Sequence, residues 1–144
     1  MPSTRNIIIS LIPAAVVTGV ILYLAGQSPG SAMVREFPLP AKPGHFIGYF
    51  TLTAAVYWGL QQRRLLGVPW AKAAPGSFLW ALQVAFLDEF VQSYTPGRMG
   101  SVYDVFLDAA GAAAALLLLL ALSHRQPRRP SNSKNKLTRG QAPG

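Results

Sequence analysis

Four apolar runs, separated by proline-rich or basic connections, set the pattern of this chain. The first, residues 7–25, holds nineteen positions without a single charge. At 1.5 Å per residue that length matches a hydrocarbon layer of about 30 Å. The second run covers 45–61 and carries Tyr57 and Trp58 near its far end, as expected for an interfacial aromatic belt. The third, 77–94, is interrupted by Gln83, Asp88, Glu89 and Gln92 and is closed by Pro96-Gly97. The fourth, 102–122, is almost wholly alanine and leucine from 109 onward. The pattern predicts an all-α polytopic membrane protein, a bundle of four transmembrane helices. Between the runs, 26–44 reads as a loop with a short helical piece around Met33–Phe37, and 61–76 as a polar, basic connection.

Composition changes this picture little and orients it. Charged residues make up 12% of the 144, about half the share of an average soluble domain. Residues 1–123 form one helical domain, and 124–144 have the composition of a basic disordered tail. A signal peptide competes for the first run, but signal-peptide apolar regions span about 7–15 residues, so a retained span is favoured. The net charge of +8 would suit nucleic acid, yet six of the thirteen Lys and Arg lie in the tail with no recognition motif, so no nucleic-acid partner is expected. Basic residues orient membrane helices instead. With both termini in the cytoplasm, Arg5, Arg63, Arg64, Lys72 and the six of the tail all fall inside, while only Arg35, Lys42 and Arg98 fall outside. That asymmetry requires an even number of spans. The expected location is the cytoplasmic (inner) membrane, multi-pass, with membrane lipids as partners.

This orientation gathers the remaining polar residues at the outer end. Lys42, His45 and Tyr49 lie at the outer start of the second span; Asp88, Glu89 and Gln92 at the outer end of the third; Asp104 and Asp108 at the outer start of the fourth; and Arg98 in the loop between. His45 and Tyr49 are i, i+4, as are Asp88 and Gln92, while Asp104, Asp108, Gly111 and Ala115 form one stripe down a helix. Acids above and small residues below suit a helix packed tightly on a neighbour, so Gly111 and Ala115 are read as packing positions. A charge at membrane depth costs about 2.5–3.5 kcal/mol or more, so the acids need partners, and Arg98, Lys42 and His45 are the cations at hand. Singly, each residue has an ordinary reading: a helix-dipole acid, an interfacial anchor. Together they read as a functional cluster. Gln83 is read as a helix–helix hydrogen bond.

Soluble-enzyme templates are missing, and no catalytic residue follows from spacing: there is no GxSxG elbow, phosphate-cradling glycine loop or HExxH. His45 with Asp88, Glu89, Asp104 and Asp108 could ligate a metal, but their spacing matches no diagnostic pattern, so neither metal nor cofactor is expected. Without cysteine, disulfides and thiolate chemistry are excluded.

The stretch Lys42-Pro-Gly-His45-Phe-Ile-Gly-Tyr49-Phe-Thr-Leu52 resembles the K-x-x-H-x-x-x-Y-x-x-L signature of VanZ-like membrane proteins. Asp88-Glu89-Phe-Val-Gln92, then Pro96-Gly-Arg98, Asp104 and Gly111, is similar to that family's D-E-x-x-Q…P-x-R…D…G pattern. The two cover about half of the chain. This sequence departs from the family at Ala41, where an Asp is usual, and at Asp108, where an Asn is usual. The resemblance implies a bacterial envelope protein without an assigned biochemical activity; the family's namesake is linked with low-level teicoplanin resistance. The expectation is therefore a binding rather than enzymatic role, the outer cluster taking an anionic or polar envelope component such as a lipid-linked phosphate or glycan. Two alternatives stand behind it. One is an enzyme acting on a lipid headgroup, with Glu89 or His45 as base and Arg98 steadying charge. The other, ranked last, is proton-coupled transport.

Overall fold

A computed structural model describes residues 4–36, 40–62 and 70–124. Its elements are all helices: α1 Thr4–Ala25, α2 Ala32–Arg35, α3 Ala41–Gln62, α4 Trp70–Ser93 and α5 Val102–His124. Arg63, Arg64 and the tail after 124, on which the expected orientation draws, lie outside the described residues.

The helices begin earlier than the apolar runs. α3 starts at Ala41 and takes Lys42 and Pro43 into its first turn, where a missing N–H costs no intrahelical bond. α4 starts at Trp70, so the expected connection 61–76 is shorter than its polarity suggested. Ala71, Ala73 and Ala74 are strong helix formers and carry α4 through Pro75, which lies inside the helix and removes one i→i−4 bond. α2 is a single turn, opened by Ser31, whose Oγ accepts from Val34 N at 3.3 Å. After α4, Gly97 at φ +78° makes the left-handed turn toward Arg98 that a side chain would strain.

α3 and α4 form the middle of the bundle, and α1 and α5 each pack on both of them. The most extensive pair is α3 with α5. Small residues allow it: Asp108, Ala112 and Ala115 are buried on α5, and a Cβ on Gly111 would collide with the Phe46 carbonyl of α3. The ends of α1 and α4 are tied together as well. Thr95 Oγ1 donates to Ala25 O at 3.0 Å, and Arg98 Nε donates to Gln27 O at 2.8 Å. The C-termini of α1 and α4 and the N-termini of α3 and α5 therefore share one end of the bundle.

The bundle departs from the soluble order, enclosing polar side chains beside its apolar core and exposing large apolar ones. Thr53, Ser77, Asp88, Glu89, Gln92 and Asp108 are buried, while Ile12, Val16, Phe86, Phe90, Phe106 and Leu117 are exposed. Among the described residues, two stretches are long and apolar enough to cross a membrane, Ile8–Ala25 and Val102–Leu122. α3 and α4, at 22 and 24 residues, have the length, but their inward polar residues lower the average.

Two expectations about single side chains change. Tyr57 turns inward, 8% exposed, and receives a hydrogen bond from Gln61 Nε2 at 3.0 Å; only Trp58 faces out. Gln83 lies on the exposed face of α4, so it makes no helix–helix hydrogen bond among the described residues.

Candidate functional site

Three helices deliver the central network. His45, in the second turn of α3, places Nδ1 3.0 Å from Asp108 Oδ1 of α5 and 3.7 Å from Asp88 Oδ2 of α4. One turn along α3, Tyr49 OH donates to Asp88 Oδ2 at 3.2 Å. One turn along α4, Gln92 Nε2 donates to Asp88 Oδ1 at 3.1 Å. α3 and α4 thus each supply two residues at the spacing that puts them on one face, and α5 supplies Asp108. Asp108 and Tyr49 are completely enclosed, and Asp88 nearly so. His45 stays half-buried at the edge.

Glu89 flanks this network and has a second task. Its Oε2 accepts from the backbone N–H of Ser101, directly before α5, where an acid satisfies an amide that has no partner within the helix. Its other oxygen, Oε1, and Asp108 Oδ2 are buried without a hydrogen-bond partner.

The cations behave differently from expectation. Among the described residues the acids are paired only by His45. Arg98 is engaged with a backbone carbonyl, and Lys42 Nζ stands over the Tyr103 ring, 5.4 Å from its centroid, in a cation–π contact. Asp104 sits one turn before Asp108 in the first turn of α5, partly exposed, where it complements the helix dipole. So His45, Tyr49, Asp88, Gln92 and Asp108 form one network with Glu89 beside it, while Lys42 and Asp104 lie around its rim.

A cavity of about 710 Å³ opens between α1 and α3. Val16, Val17, Val20, Ile21 and Leu24 of α1 wall it on one side, Gly44, Ile47 and Gly48 of α3 on the other. His45, Asp88, Gln92 and Arg98 give it a polar end. Sequence reasoning did not foresee α1 as the wall, because its residues are uniformly apolar and carry no mark of a site. It also missed a polar stripe on α3: below His45 and Tyr49 come Thr53, Tyr57 and Gln61, each four residues on. That i, i+4 repeat was visible in the chain. Thr53 Oγ1 is buried without a partner, so the stripe is interrupted there.

The arrangement can orient a polar or anionic group at the polar end of an apolar groove, and its nitrogen and carboxylate donors converge closely enough to hold a cation. The family described as VanZ/LLP1 matches residues 3–123 of the chain, nearly all of the helical region. No curated protein and no solved structure matches it.

Proposed function

The chain belongs to the VanZ/LLP1 family, and from that premise we propose that it is a four-span protein of the bacterial cytoplasmic membrane that binds the anionic head of a membrane amphiphile. The head is of the lipid-linked phosphate or glycan class. The observation that carries this reading is the groove: aliphatic walls long enough for a chain, leading to His45, Asp88, Gln92 and Arg98. Arg98 uses Nε for Gln27 O, and its terminal nitrogens have the fork geometry that suits phosphate.

The membrane setting draws its support from the exposed surface. A soluble bundle would not leave Phe86, Phe90 and Phe106 each 60% or more exposed while enclosing Asp88, Glu89 and Asp108. Lipid around the outside and hydrogen-bonded acids within satisfy both groups. The placement of both termini in the cytoplasm rests on the asymmetry of Lys and Arg, and it puts the polar end of the groove at the outer face.

Retention of a polyprenyl phosphate by the detergent-purified protein, followed by native mass spectrometry, tests the reading. Arg98→Ala should weaken retention at least tenfold, and Val20→Trp, which fills the groove, should abolish it. Phe106→Ala on the outward face of α5 should leave it unchanged. Equal retention by all three variants would refute the groove as the binding site.

One observation favours a second, enzymatic reading. Of the two bases the sequence offers, His45 lines the groove and is oriented by Asp108, whereas Glu89 is engaged at the start of α5. Release of a headgroup by purified protein, lost in His45→Gln, would establish it. Proton-coupled transport lacks comparable support, since the polar stripe on α3 breaks at Thr53.

A further inference from the structure

We propose that His45, Asp88, Glu89 and Asp108 form a binding site for one divalent transition-metal cation at the polar end of the groove. One ligand atom from each lies within 4.8 Å of all the others. Opposite ligands of an octahedral cation at about 2.1 Å stand about 4.2 Å apart and those of a tetrahedral one about 3.4 Å, so the cluster would contract by about 0.6 Å in the first case and about 1.4 Å in the second. One imidazole nitrogen with three carboxylates is a donor set for Mn²⁺, Fe²⁺ or Zn²⁺ rather than for a soft, thiolate-seeking ion.

A second observation, independent of the clustering, points to a ligand. Asp108 is fully enclosed and Glu89 is 8% exposed, yet Asp108 Oδ2 and Glu89 Oε1 have no hydrogen-bond partner. A buried acceptor left unsatisfied costs about 1–3 kcal/mol, more if charged. A cation would supply both a partner for these oxygens and a counter-charge for the acids.

The surroundings resemble those of a built metal site. Tyr49 and Gln92 hold the Asp88 carboxylate, and the Ser101 amide holds Glu89, fixing the ligands in orientation as outer partners do at metal centres. Among the described residues no Lys or Arg forms an ion pair with these acids, whose ion pairs are those with His45 alone. Because His45 and Asp88 also line the groove, a cation there would meet the head of the proposed amphiphile directly, and this consequence rests on the reading above.

The test uses the full chain, delipidated in detergent and stripped of metal with a chelator, with Mn²⁺ alone as the probe and electron paramagnetic resonance as the readout. One Mn²⁺ should bind per chain and be displaced by Zn²⁺. Glu89→Gln and Asp108→Asn should each weaken binding at least tenfold. His45→Gln should remove the imidazole nitrogen coupling from the spectrum of the bound ion, a change that damage to the fold alone would not produce in a variant that still binds. Wild-type affinity in Glu89→Gln, retained nitrogen coupling in His45→Gln, or no stoichiometric binding by the wild type would each overturn the proposal. Lipid is excluded from this measurement, so its failure is separate from failure of polyprenyl phosphate retention.

Discussion

Asp108 has no exposure to solvent and one hydrogen-bonded partner, His45. Removing one member of such a pair leaves the other stranded, which costs about 3–5 kcal/mol. Asp108→Ala should therefore lower the unfolding midpoint of the purified protein strongly, while Asp108→Asn, which keeps an acceptor for the imidazole N–H, should lower it less. Pairing each with His45→Ala in a thermal-unfolding cycle should give a coupling of at least about 1 kcal/mol, and simple additivity would show that the two side chains do not interact. At this scale the sequence was partly legible. Helical spacing placed the right residue types on the right faces, and His45, Tyr49, Asp88, Gln92 and Asp108 do meet. Which cation answers the acids was not legible. Lys42 is nearer a helix start and has a long, flexible stem that reaches the Tyr103 ring, whereas the short imidazole of His45 is held between two helices. Charge and proximity in sequence cannot distinguish those fates.

Among the helices, the α3–α5 pair decides whether the site exists. Its close approach depends on Gly111, where any side chain meets the backbone of Phe46. Gly111→Val should force the two helices apart, destabilise the fold by about 1–3 kcal/mol or more, and lengthen the His45–Asp108 contact. A thermal midpoint equal to that of the wild type would contradict this packing. The stripe Asp104, Asp108, Gly111 and Ala115 was readable from spacing because a helix repeats its faces every three to four residues. Helix starts were less readable. Lys42, Pro43 and Lys72 look like loop residues, but the first turn of a helix accepts them, and the alanines before Pro75 carry α4 past it. Tyr57 shows the same weakness: an aromatic near a span end suggests an interfacial anchor, and only packing reveals that this one points inward while Trp58 points out.

For the whole molecule, the lesson lies in what hydropathy averages conceal. α1 and α5 carry the apolar signal on their own, while α3 and α4 spend part of theirs on an enclosed polar network. A run such as 77–94 looks weakly hydrophobic because its acids are counted alongside Phe86 and Phe90, although they face opposite sides. The groove was not legible because it is a property of the space between α1 and α3, not of any residue in either.

The central claim is that the polar cluster sits at the non-cytosolic end of a membrane-spanning bundle. The chain has no cysteine, so a single introduced thiol reports its own side without background. Met99, 88% exposed in the loop beside the cluster, is the position to use, with Ser131 in the tail as its opposite. In intact cells a membrane-impermeant maleimide should label Met99→Cys and leave Ser131→Cys untouched until the membrane is permeabilised. Labelling of Ser131→Cys in intact cells with protection of Met99→Cys would place the cluster on the cytosolic side and contradict the account.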